Sequence, residues 1–120
     1  MGESNMFGGN SEEKLTKMVT KKKWDALRKL MGKDKETVLN LARACAHSDD
    51  DESTNLLIEL LRADDRDIRM AAITSLGKVG NEHAVASLQY IEKSDPNCGA
   101  DMIAAVHTAI GSIRNRSKES

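Results

Sequence analysis

Residues 67–80 read DIRMAAITSLGKVG, and residues 101–114 read DMIAAVHTAIGSIR. The second stretch repeats the first 34 positions later. Asp67 matches Asp101, Ile68 Met102, Ala71 Ala105, Thr74 Thr108, Leu76 Ile110 and Gly77 Gly111. A fainter copy lies 31 positions upstream, with Glu36 under Asp67, Ala42 under Ile73, Cys45 under Leu76 and Ala46 under Gly77. The segments preceding the copies obey the same shift: Leu27 with Ile58, Leu30 with Leu61, Asp34 with Asp65. Self-similarity at this period marks stacked supersecondary units. Apolar residues inside each copy recur at spacings of three and four, so the unit is helical; nowhere does the pattern alternate with period two for long.

Working outward, Ser11 followed by Glu12 and Glu13 predicts a helix start, with Leu15, Met18 and Val19 as a narrow apolar stripe. Trp24, Leu27, Leu30 and Met31 share one face before Gly32. Val38, Leu41, Ala42 and Cys45 form the next stripe, and Leu57, Ile58 and Leu61 the one after it. In the opening stretch Ile68, Ala71, Ala72, Leu76 and Val79 are expected to face inward, and Gly80-Asn81 is a stop followed by a new N-cap. Val85, Leu88 and Ile91 follow, then a loop around Asp95 and Pro96. This predicts a loose segment over 1–10, a repeat domain over 11–114 with units about 24–48, 53–80 and 82–114, and a frayed end over 115–120. Small residues at 71, 72, 77, 104, 105 and 111 let neighbouring helices approach closely, with Ala71 and Ala105 expected at the tightest crossings.

With 39% apolar and 31% charged residues, the chain has the composition of an ordinary globular domain. Aromatics make up only 2% (Phe7, Trp24, Tyr90), so the core must be aliphatic. The net charge of −1 argues against a generic polyanion binder. Charge is nonetheless uneven along the chain. Residues 14–35 hold nine bases and two acids, and residues 49–67 eight acids and two bases. Cys45 reads as a small core residue and Cys98 as a loop residue. Neither spacing suggests a disulfide framework, which fits a reducing, cytoplasmic setting. No apolar run approaches membrane-spanning length, and Met at position 6 spoils a myristoylation signal.

The stretch DIRMAAITSLGKVGNEHAVASL resembles the HEAT-type repeat of the phycobilisome-lyase-like class. The resemblance rests on Asp67, Ile68-Arg69, Ala71-Ala72, Leu76-Gly77, Val79-Gly80, Asn81-Glu82 and Ala84-Val85 with Leu88. It is strong over 57–91, fair over 99–114, where Ile103 replaces the arginine, and faint over 24–47. The resemblance implies an all-α fold: a short right-handed α-solenoid of about three HEAT-like helical hairpins behind an N-terminal capping helix. A hairpin of this size cannot bury its apolar face alone, and roughly three in a stack make one continuous core.

Catalytic chemistry has little to stand on. A hydroxylase-like relative would carry several His-Glu pairs for metal. Here His47, His83 and His107 are scattered, so no metal and no cofactor is expected. A base-flipping or tetrapyrrole-handling relative would need more aromatic surface. The expectation is a non-catalytic protein-interaction module, monomeric or weakly self-associating. An accessory or chaperone role for a cofactor-bearing partner, and weak nucleic-acid binding through 14–35, are the alternatives. The resemblance implies that the second helix of each pair lines the concave side. The exposed rungs there are then Leu39, Arg43 and His47; Met70, Thr74 and Lys78; and Ala104, Thr108 and Ser112. Met70, a flexible thioether, suits an adaptable face for a protein or peptide.

Overall fold

The computed structural model describes residues 10–95 and 97–119. Among these, seven α-helices follow one another: α1 Glu12–Thr20, α2 Trp24–Arg28, α3 Lys35–Ala44, α4 Asp51–Leu60, α5 Arg66–Val79, α6 Glu82–Ser94 and α7 Ala100–Glu119. Short 3₁₀ turns extend α2 over Lys29–Gly32 and α3 over Cys45–His47. The helix starts fall where short polar side chains can satisfy free amides. Ser11 accepts from Lys14 N, Asp34 from Thr37 N, Asp65 from Asp67 N and Ile68 N, and Asn81 from His83 N. Gly80 closes α5 as the sequence predicts. The one non-glycine residue with positive φ among the described residues is Lys22 (φ 60°), just past α1. Its amide donates to Val19 O and the Lys23 amide to Met18 O, the paired bonds of a Schellman motif.

Helices α2/α3, α4/α5 and α6/α7 form three hairpins, and α1 packs along α3 as the cap on the first. The second helices α3, α5 and α7 pack on one another along their lengths, whereas α4 and α6 touch little. Tight spacing in one layer and loose spacing in the other bends the stack, with the second helices on its concave side. One core runs through all three hairpins, from Leu15 and Val19 of the cap through Leu27, Leu41, Leu56, Leu57, Ile73, Leu76 and Leu88 to Met102, Val106 and Ile113.

The tight crossings lie elsewhere than the sequence suggests. Ala71 and Ala105 are only half-buried, on the flank of their helices. The close approach of α5 to α7 occurs at Gly77, where an added Cβ would lie 3.1 Å from the Cα of Ala109. At the crossing of α3 and α5, buried Ser75 donates from Oγ to Ala42 O at 2.7 Å. The reason is rotational. Helix α5 has neighbours on three sides, so its buried arc is centred on Ile68, Ala72, Ser75 and Leu76 and reaches round to Ile73.

The last helix runs on through Glu119, past residue 114. Arg116 explains the extra turns: its guanidinium donates to Gly77 O at 2.6 Å and Gly80 O at 2.8 Å. These are carbonyls at the end of α5, left unpaired by the end of the helix. The last repeat also departs from the inner one at its outer face. His107 stands 34 positions after Ile73; Ile73 is fully buried, and His107 is exposed.

Candidate functional site

Leu39, Arg43 and His47 on α3 and its 3₁₀ extension, with Met70, Thr74 and Lys78 on α5, line one cavity of about 670 Å³ on the concave side. Glu12 of the cap and Asp67 complete its rim. Two consecutive hairpins place these side chains in register because their second helices are parallel and adjacent. Thr108 and Ser112 lie on α7 outside this cavity, the first exposed and the second half-buried; Ala104 is exposed on the same helix.

One expectation needs correcting. Leu39, read as an exposed rung, is 9% exposed and belongs to the core cluster. Helix α3 is flanked by α1 on one side and α5 on the other, so residues 37–42 are all buried. Leu39 is therefore floor rather than rim. Met70 is half-buried beside it, and Arg43, His47, Thr74 and Lys78 are exposed.

The cavity has a charge gradient along the helices. Asp67 sits at one end, in the first turn of α5 beside Lys35, while Glu12 opens α1, whose approach is bonded through Asn10 O to Asn40, halfway along α3. Arg43, His47 and Lys78 sit at the other, at the carbonyl ends of α3 and α5. This is the order that complements the helix dipoles. Among the described residues, Arg43 and Lys78 have no ion-pair partner.

The opposed charge runs of the sequence meet across the repeats. Lys22 faces Asp50 at 3.4 Å, Arg28 faces Glu59 at 2.5 Å and Glu52 at 3.7 Å, and Lys35 faces Asp67 at 2.8 Å and Asp65 at 3.3 Å. One unit further, Arg66 pairs with Asp101 and also donates to Cys98 O at 3.3 Å. Gly99, with φ 105°, leaves room there: a Cβ would lie 2.9 Å from Asp101 Oδ1. The Arg66 guanidinium holds Asp101 below the usual carboxylate range. Asp34 is lowered by the hydroxyl and amide of Thr37. For Asp65, loss of water raises the value, but the Ile68 and Asp67 amides and Lys35 together outweigh it. The Cys45 thiol is pushed up to about 11 by burial.

No group of three or more His, Cys, Asp or Glu among the described residues could hold a metal ion. No helix among them is long and apolar enough to cross a membrane.

A second hollow, of about 600 Å³, opens on the opposite, convex side between α4 and α6. Tyr90 stands on its wall, 67% exposed, the most conspicuous apolar side chain left in the open. The sequence carried one signal for it: the single tyrosine falls off the stripe of Val85, Leu88 and Ile91.

The family model for HEAT repeats matches residues 24–106. No curated protein and no solved structure matches the chain. HEAT repeats are in general protein-interaction modules. With most of the chain covered by that model and three stacked helical hairpins in the structure, the protein belongs to the HEAT-repeat family.

Proposed function

We propose that the concave cavity between α3 and α5 is a docking surface for a peptide segment of a protein partner, and that the chain is a non-catalytic adaptor or scaffold. The supporting observation is the convergence of Leu39, Arg43, His47, Met70, Thr74 and Lys78 on one cavity. Its floor offers an aliphatic side chain and an adaptable thioether. Its walls offer a hydroxyl and unpaired cations at one end. A partner segment presenting an apolar side chain with an acidic residue on the Arg43–Lys78 side satisfies both. Thr108 and Ser112 extend the same face along α7 for a longer segment. The basic stretch is a weaker candidate, because Lys22, Arg28 and Lys35 already face acids of the following repeat.

Crosslinking separates the readings. A photoreactive residue at Thr74 should capture a discrete partner that Met70→Glu with Thr74→Glu no longer retains, with the helical content of the double variant unchanged. Replacing Lys21, Lys22 and Lys23 by Gln should weaken capture only at low salt, since exposed charges are screened within about 10 Å at 0.1 M ionic strength. If the lysine variant loses the partner at every salt concentration and the Met70/Thr74 variant keeps it, the concave-face reading fails.

A further inference from the structure

Resting on the concave-surface reading, we propose that the cavity between α3 and α5 takes residues 3–9 of this same chain, ESNMFGG, so that the N-terminal segment competes with the partner segment for one site. The described chain begins at the mouth of that cavity. Asn40, 9% exposed on α3, donates from Nδ2 to Asn10 O at 3.1 Å, which ties the Asn10 backbone beside the part of α3 that carries Leu39 and Arg43. Ser11 then caps α1, and Glu12 itself lines the cavity. Everything ahead of Asn10 therefore leaves from the rim. The segment carries the chemistry that the cavity selects for. Glu3 is the only charged side chain ahead of Ser11, and Met6 and Phe7 stand together among polar residues and glycines. Arg43 and Lys78, at the far end, have no carboxylate partner among the described residues, and Glu3 supplies one. Leu39 and half-buried Met70 give Phe7 an aliphatic and thioether floor, and sulfur against an aromatic ring is a favourable contact. Glu12 at the entry disfavours an acid there, and Asp67 already faces Lys35.

The lengths agree as well. An extended chain spans at most about 3.3–3.6 Å per residue, so the step from Asn10 to Phe7 covers about 10 Å, the spacing of two packed helices. That carries Phe7 across α3 to Leu39 and Met70, which are repeat equivalents on adjacent parallel helices. From Phe7 back to Glu3 the chain reaches a further 14 Å or about that. From Met70 to Lys78 along α5 the helical rise gives about 12 Å. The acid and the apolar pair are thus separated by the distance between the cavity's cationic end and its floor. Gly8 and Gly9 sit where the path must reverse, and glycine adopts such turns freely. A tether this short holds its end at an effective concentration of about 1 mM, so a contact with a dissociation constant of about 0.1 mM keeps the cavity about nine-tenths filled.

The test uses the full chain. In isotopically labelled protein, nuclear Overhauser contacts should join the Phe7 ring to the methyl groups of Met70 and Leu39. A fluorescein-tagged peptide Gly-Glu-Ser-Asn-Met-Phe-Gly-Gly, a copy of residues 2–9, should bind the variant Met6→Ser with Phe7→Ser about tenfold more tightly than the parent chain. That is the factor by which a cavity about nine-tenths filled weakens a competitor. Glu3→Gln in the chain should raise peptide binding by a smaller factor, which shrinks as salt is added. Equal binding of the peptide to parent and double variant would overturn the proposal, as would a Phe7 ring with no contact to Met70 or Leu39. Contacts that disappear on dilution would put a second copy's segment in the cavity and overturn the intramolecular form. A photoreactive residue at Thr74 tells this failure from failure of the concave-surface reading. If Phe7 makes no contact there and Thr74 still captures a separate protein, the self-occupancy alone falls; if Thr74 captures neither, both fall.

Discussion

Gly77 and Ala109 bring the backbones of α5 and α7 close together: a Cβ on Gly77 would sit 3.1 Å from Cα of Ala109. Gly111 occupies the same repeat position one unit later and has nothing within 4 Å of its notional Cβ. The two glycines look alike in sequence and differ in what lies opposite.

Gly77→Ala is therefore expected to destabilise the fold by about 1–2 kcal/mol, because the neighbour that must move is helix backbone. Gly111→Ala should stabilise it by about 0.5–1 kcal/mol, the ordinary helix gain over glycine. Denaturant midpoints of the two variants should move in opposite directions. A common direction would contradict the crossing geometry.

Lys35 and Arg66 are repeat equivalents, as are Asp67 and Asp101, so the pairs Lys35–Asp67 and Arg66–Asp101 form a ladder that ties each hairpin to the next. All four side chains are well exposed, and each pair is worth at most about 1 kcal/mol. A double-mutant cycle on Arg66→Leu and Asp101→Asn should give a coupling of that order, reduced by added salt. Coupling well above it, or insensitive to salt, would mean that the pair is shielded from solvent.

Asp34, Asp65 and Asp101 all have folded-state values below the ordinary 3.8. A depressed carboxylate contributes stability above its unfolded value and loses it as pH falls through the folded one. Thermal midpoints should hold from pH 7 to about 5 and fall progressively below about 4. Asp101→Asn should flatten that fall. A profile identical to the parent's would remove Asp101 from the account.

Lys22 holds a left-handed conformation that glycine adopts freely. Lys22→Gly should stabilise the cap by up to about 1 kcal/mol, less whatever the exposed pair with Asp50 contributes. A lower melting temperature would show that the Asp50 contact matters more than the backbone strain.

Cys45 is fully buried, and its thiol lies near 11, so at pH 8 only about one molecule in a thousand holds a thiolate. Labelling by a thiol reagent should wait for unfolding and follow the denaturant curve. Rapid reaction of Cys45 in the native protein would contradict the packing around it.

The helices were legible because their signals are local: caps at Ser11, Asp34, Asp65 and Asn81, apolar spacing of three and four, and a stop at Gly80. The stacking was legible because the repeat itself is written twice. The rotation of each helix was not. Which alanine or glycine meets a neighbour depends on how many helices surround it, so Ala71 and Gly77 could not be ranked from one helix's pattern. Leu39 was misread for the same reason, its second neighbour being the cap. The convex hollow escaped because it lies between α4 and α6, which are separate in sequence, with an arginine of α5 as its floor.

The exchange of Ile73 for His107 has an architectural consequence. Each repeat presents one side to its predecessor and one to its successor, and growth of such a stack is limited only by whether the last side invites another layer. At the inner position that side is a buried isoleucine; at the outer one it is an exposed imidazole hydrogen-bonded to Glu92 at 2.8 Å. Ala100, which stands where Lys35 and Arg66 stand, also supplies no cation to hold a further acid. These two positions thus give the outer side of the third hairpin a polar character that the inner one lacks. Behind them the Gly111 backbone faces open space, so a change of His107 to Ile and Ala100 to Arg would give this side the apolar and cationic groups of the inner one.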